Sequence, residues 1–294
     1  MQKIILNYGS LDHKLNFTQN LRSSSDFIYK HSISTAILTA MISHGLRIPH
    51  EVQVSCVTAA LLYDIGYLFV SQDILERGKN TNLSDQKIVD ECRKIGYEKL
   101  KAKAHPFLND ATMKLISQVI YVTGSAGQTD TSGISLLSGT KILKVADAFD
   151  RMTAMSIDEE PLSEVVAIQY LSERPHRFDS KTVQALSASI NILPTGCCVD
   201  LSTHEKALVL VENPDNFMQP LILKFSDNQI YDLRDPEISK EFQVQDIMKT
   251  MDNRIVIDEE ALKHFYADDV IKRVADEFRR KRAYLIQKGR YRVE

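Results

Sequence analysis

Four ionisable residues stand on faces of this chain that otherwise read as apolar core. After Asp26, a suitable helix N-cap, the segment FIYKHSISTAILTAMISHGL lines up Phe27, His31, Leu38 and Ile42 at a helical period. The next helix, EVQVSCVTAALLYD, carries the stripe Val57, Ala60, Leu61 on into Asp64. A later one, SGTKILKVADAFDRMT, aligns Leu143, Asp147 and Asp150 at spacings of four and three. A buried charge is costly unless it is paired or holds a metal. His31, Asp64 and Asp147 thus sit inward at positions compatible with one another, and such mixed nitrogen and oxygen donors converging in a helical bundle core are what a divalent metal needs.

Two further segments, DQKIVDECRKIGYEKLK and NDATMKLISQVIYV, are helical by period. Around residue 193 the texture changes. LPTGCCVDL, KALVLVE, PLILKF, QIYDL and RIVID are short apolar runs separated by STHE, NPDN and SDN, which predicts a small antiparallel meander. The chain then returns to helix, with Ala267, Ile271, Val274, Phe278 and Leu285 along a narrow seam. The expected organisation is a helical domain over 1–192, a β-rich module over 193–260 and a basic amphipathic helix over 261–294.

Composition limits the functional classes. At 294 residues, with 44% hydrophobic and 26% charged residues, there is ample material for a core. The formal net charge of -3 supplies no field for nucleic acid or acidic lipid. Four cysteines are too few for a disulfide framework, the start MQKIILNYGSLDHK lacks the apolar stretch of a signal peptide, and no apolar run approaches the ~18 residues that cross a bilayer. The expectation is a cytoplasmic, reduced protein with no membrane and no nucleic-acid partner. Between Val270 and Glu294 nine Lys/Arg face three Asp/Glu, a candidate surface for homodimerisation or for an acidic partner.

DFIYKHS, LLYDIG followed by QDIL, LSDQKI with GYEKL, TKILKVADAFDRMT, RFDSKTVQAL and the ILPTG entry to the β tail, in this order and spacing, resemble the HD-GYP branch of the HD-domain metal phosphohydrolases over residues 20–260. The resemblance implies a mainly α fold: an HD-domain-type helical bundle with a small C-terminal antiparallel β module and a terminal helix. It also implies an activity, hydrolysis of cyclic di-GMP at a site of two or three metal ions.

The motif residues carry over only in part. His31 matches the first histidine ligand, Asp64 the bridging aspartate and Asp147 the late aspartate ligand. Phe27 stands where relatives often have a glutamate, Tyr63 replaces the histidine of the His-Asp signature, Tyr67 replaces a phosphate-contacting lysine, and Cys92 falls at the next histidine position. The stretch IYVTGSAGQTDTSG replaces the signature that names the family and supplies neither of its histidines. The arginine motif after the late aspartate reads AMSIDEEP, while ERPHR, further along, only imitates it; His105 in AHPFL is read as a loop or surface histidine.

Two-metal hydrolysis clamps attacking and leaving oxygens between cations about 3.5–4 Å apart and needs more donors than three. The expectation is therefore a degenerate site of His31, Tyr63, Asp64, Tyr67, Cys92 and Asp147 with no catalytic residue and no cofactor. Tyr63 and Tyr67 would fill the vacated volume with their hydroxyls on Asp64 or water, and His31 would pair with Asp64. The expected role is regulation or interaction in cyclic di-GMP-type signalling, through a protein partner or a bound cyclic dinucleotide. The alternative is a phosphodiesterase with one weakly held Fe, Mn or Zn ion at His31, Asp64 and Asp147.

Overall fold

The computed structural model describes residues 1–247 except 12, 16–21, 24–25, 78–81, 104, 107, 125–134, 155–160 and 214. The seam expected over 261–294 and the RIVID run lie outside the described residues, as do most of the GSAGQTDTSG and AMSIDEEP stretches. The chain divides into two compact units, one of Met1–Leu11 with Phe17–Ile190, the other of Asp12–Asn16 with Asn191–Glu294.

The first unit is helical: α1 (Gln2–Tyr8), α2 (Phe27–Gly45), α3 (His50–Leu62), a 3-10 turn (Ile65–Phe69), α4 (Gln72–Glu76), α5 (Leu83–Lys101), α6 (Asp110–Thr123), α7 (Ser138–Thr153), α8 (Glu164–Ser172) and α9 (Ser180–Ser189). Several starts follow from capping chemistry. Asn82 and Asp85 form a capping box on α5, and the side chains of Asn109, Ser163 and Asp179 accept from the third residue of α6, α8 and α9. Asp26 precedes α2 but does not cap it: its carboxylate accepts from the Ser23 amide and pairs with Lys30.

α2 and α7 are buried on several sides, which is why charged groups on them end up inside. Ala36, Leu38, Ala40 and Ile42 of α2 and Ile142, Leu143, Val145 and Phe149 of α7 are fully buried. α2 packs against α3 and α7, while α3 meets α6. One stretch, His50–Phe69, is long and apolar enough to cross a membrane, contrary to the sequence reading. More than half of it is buried in this unit, as α3 and the turn after it, so its apolarity is spent on the core.

Two glycines set the closest approach. A Cβ on Gly66 would lie 2.3 Å from Arg93 Cα and 2.4 Å from the Cys92 carbonyl oxygen, and one on Gly96 would lie 2.6 Å from Gly66 N. Backbone therefore rests on backbone where the turn after Asp64 meets α5.

The second unit holds an antiparallel five-stranded sheet in the order β4-β3-β2-β1-β5, from β1 (Cys198–Leu201), β2 (Lys206–Val211), β3 (Leu221–Lys224), β4 (Gln229–Asp232) and β5 (Val244–Ile247). The first four strands form the expected meander. β5 and the short α10 (Pro236–Glu241) before it, not anticipated from the sequence, return the chain to the other edge beside β1, with Val199 opposite Ile247.

Candidate metal-type site and its arginine clamp

The helix packing converges the three residues on one buried point. Ligand atoms of His31, Asp64 and Asp147 lie within 4.8 Å of one another, a grouping able to hold a metal ion. α2 supplies His31, the end of α3 supplies Tyr63 and Asp64, and α7 supplies Asp147, Asp150 and Arg151. All but Arg151 are at most a tenth exposed.

Most polar atoms of this group are engaged by another side chain. His31 Nδ1 lies 2.6 Å from Asp150 Oδ2, and its Nε2 lies 2.7 Å from the Tyr63 hydroxyl and 3.1 Å from Asp147 Oδ1. The Tyr63 hydroxyl donates to Asp147 Oδ1 at 2.6 Å. Nδ1 thus faces a carboxylate, and Nε2 is occupied by the Tyr63 hydroxyl and Asp147. Burial, and next Arg151, push the His31 pKa down, but the hydrogen bonds to Asp147 and Asp150 outweigh them and raise it.

Three guanidinium groups neutralise the three carboxylates. Arg151 spans two of them, Nε donating to Asp147 Oδ1 at 2.8 Å and Nη2 to Asp64 Oδ2 at 2.6 Å. Arg22 forks onto both oxygens of Asp150 at 2.6 and 2.7 Å. Arg93 Nη2 approaches Asp64 Oδ1 at 2.8 Å while directing a hydrogen bond to the Thr123 hydroxyl at 2.6 Å, so Asp64 Oδ1 receives charge but no aligned N–H. Burial would raise the pKa of Asp147 and Asp150. Arg151 and His31 for the one, and Arg22 and His31 for the other, hold both below the usual carboxylate value instead.

Aromatic rings close the cluster. Phe27 stacks on His31 with ring centres 5.3 Å apart and planes 11° apart, and the Arg22 and Arg151 guanidinium groups lie 5.8 and 5.6 Å from its centre. Arg93 lies 5.8 Å from the centre of the Tyr63 ring, and Arg151 5.8 Å from that of Tyr67. Burial first, then Asp147 and Asp64, lift the Tyr63 phenol well above its ordinary value, and burial lifts that of Tyr67.

Several expectations change. His31 does not pair primarily with Asp64, whose Oδ2 is 3.6 Å from Nε2; Asp150, Tyr63 and Asp147 are all nearer. The Tyr63 hydroxyl goes to His31 and Asp147 rather than to Asp64. Cys92 does not join the group: it packs with Val70 and Ile74, and its thiol donates to the Phe69 carbonyl at 3.5 Å. One residue on, a helical step of about 100° turns Arg93 into the site. Arg22, Arg93 and Arg151 were missed in sequence because an arginine is ordinarily assigned to a surface. The available signal was Asp-Arg at 150–151, directly beyond an apolar stripe. His105 is exposed in the loop before α6, as expected. The four cysteines are free, and burial pushes the thiols of Cys56 and Cys197 up to about 12.

Comparison with known proteins bears on this geometry. The chain is 23% identical over 216 residues to a cyclic di-GMP phosphodiesterase of Pseudomonas aeruginosa, covering 70% of this chain and 49% of that protein. It is 27% identical over 180 residues to a 3'3'-cGAMP-specific phosphodiesterase of Vibrio cholerae, covering 60% and 38%. With a cyclic di-GMP phosphodiesterase of Borreliella burgdorferi the identity is 19% over 200 residues, 68% of this chain and 52% of that one. The chain thus spans about half or less of the length of these relatives. The HD domain family matches residues 17–182, the span that contributes His31, Asp64 and Asp147 and more than half of the sequence, and the chain belongs to that family.

Proposed function

We propose that this chain is a degenerate HD-GYP-like member of the HD domain family, without phosphodiesterase activity, that acts by binding in cyclic di-GMP-type signalling. The observation carrying this reading is Arg151, which bridges Asp64 and Asp147 across the space where a cation would have to sit. A ligating histidine must offer a free lone pair, and both ring nitrogens of His31 are already engaged, Nδ1 with Asp150 and Nε2 with the Tyr63 hydroxyl and Asp147. A divalent ion entering beside three guanidinium groups would meet carboxylates already neutralised, with Tyr63 as a neutral phenol in place of a stronger donor. The residues present do not fit a resident metal, so no hydrolytic step is assigned to them. The ligand is a signalling protein or a cyclic dinucleotide; the curated relatives, whose names specify cyclic dinucleotide substrates, supply the chemistry for the second.

Metal analysis together with a hydrolysis assay tests the reading. The expected result is substoichiometric Fe, Mn and Zn in purified protein, no cleavage of cyclic di-GMP with added metal, and a denaturation midpoint indifferent to chelator. Turnover abolished by chelator would overturn it. Calorimetric titration with cyclic di-GMP then decides between nucleotide and protein as the ligand.

A second reading has one observation in its favour: Asp64 Oδ1 is buried and receives no aligned hydrogen bond. In that reading Arg151 withdraws and His31, Asp64 and Asp147 hold a single ion. Stoichiometric metal, lost in His31→Ala, would establish it.

A further inference from the structure

Away from the His31 cluster, the first half of α7 and the loop joining α8 to α9 enclose a cavity of about 320 Å³. Its walls include Lys141, Lys144, His176, Arg177 and Asp179. Lys144 stands on the buried helix α7 and is only 4% exposed, with its ammonium 5.8 Å from the centre of the Phe178 ring. The Arg177 guanidinium also lies over that ring, at 5.4 Å. Two cations thus lie against one aromatic side chain.

One acid and several cations line the cavity. Asp179 is the acid in its wall, and it is already engaged: one oxygen accepts from the amide and hydroxyl of Thr182 at the start of α9, the other pairs with Lys141 at 3.2 Å. Arg177 forms no ion pair with any described residue, and its buried Nε has no hydrogen-bond partner. A buried donor left in this state costs on the order of 1–3 kcal/mol, which a ligand oxygen would recover. Burial, and next the nearby Arg177, lower the Lys144 pKa, the direction expected of an ammonium facing a like charge.

We propose that this cavity binds a phosphate group, with Arg177 supplying its planar fork and Lys144 a point charge. A carboxylate could satisfy the Arg177 fork alone, whereas a phosphate has oxygens to spare for the nearby Lys144 ammonium as well. The volume falls at the small end of ligand pockets and leaves space beyond the phosphate, which suits a small phosphate ester. The residues involved share none of the His31 cluster, so the site stands whether or not that cluster holds a metal.

The test is calorimetry and thermal denaturation of the full chain with inorganic phosphate, 5'-AMP and sodium chloride at matched ionic strength. Phosphate and AMP are expected to bind saturably and to raise the midpoint by a few degrees, while chloride does not. Tighter binding of AMP assigns the ester as ligand; equal or tighter binding of inorganic phosphate assigns the free ion. Arg177→Gln, at a partly exposed position where folding is not at risk, is expected to weaken binding at least tenfold, as is Lys144→Met. A response to all three solutes that follows ionic strength alone, or binding that persists unchanged in both variants, overturns the proposal.

Discussion

Arg151 Nη2 lies 2.6 Å from Asp64 Oδ2, joining a residue on α7 to one at the end of α3. With its Nε on Asp147, the same side chain serves two carboxylates that helix packing would otherwise leave facing each other. Replacing Arg151 by Met keeps much of the apolar stem and removes the charge. Breaking one side of a buried ion pair costs about 3–5 kcal/mol, and the partial exposure of Arg151 places its loss near ~3 kcal/mol. Urea denaturation at neutral pH measures this; a loss below ~1 kcal/mol would mean that water serves the carboxylates equally well. The variant is also expected to take up more divalent metal than the parent protein, read by equilibrium dialysis.

Tyr63 connects His31 to Asp147 through a single hydroxyl. Tyr63→Phe preserves the ring beneath Arg93 but leaves His31 Nε2 without its nearest partner and removes one of the donors to Asp147, which keeps Arg151 Nε. The expected cost is about 1–3 kcal/mol, again by urea denaturation. If the hydroxyl merely fills space, Phe will be neutral or stabilising.

How far the sequence could be read follows from these residues. A 3.6-residue period showed which face of each helix is buried, so the placement of His31, Asp64 and Asp147 in one core was legible. It could not show what compensates them. Arg22, Arg93 and Arg151 come from three separate segments, and their long side chains reach inward by directions that spacing does not encode. Cys92 and Arg93 illustrate the limit: adjacent in sequence, one lies in a small apolar cluster and the other against Asp64. In the second unit, β5 was missed because VQDI alternates weakly and follows a short helix, so neither length nor pattern marked it.

Gly66 fixes the path by which Arg93 enters. Its missing Cβ makes room for the Arg93 Cα and the Cys92 carbonyl, both backbone atoms that cannot rotate away. Gly66→Ala would push α5 from the turn and carry Arg93 off Asp64, at a cost of about 3 kcal/mol or more. Thermal denaturation checks the loss. A stability change within ~0.5 kcal/mol would show that the two backbones can separate without consequence.

Lys144 gives a pH dependence of definite sign. Burial and Arg177 hold its folded pKa below that of an unfolded lysine. At a pH between the two values the unfolded chain binds more protons than the folded one, so stability rises with pH through that window. The penalty is present in full below the folded value and is gone above the ordinary lysine value of about 10.4. Lys144→Met has no such proton to bind. The variant is therefore expected to be more stable than the parent near neutral pH in phosphate-free buffer, with the difference shrinking as the pH approaches about 10. Paired urea titrations across that range measure it. A difference that stays constant or widens with pH would show that the ammonium is not under strain in the folded protein.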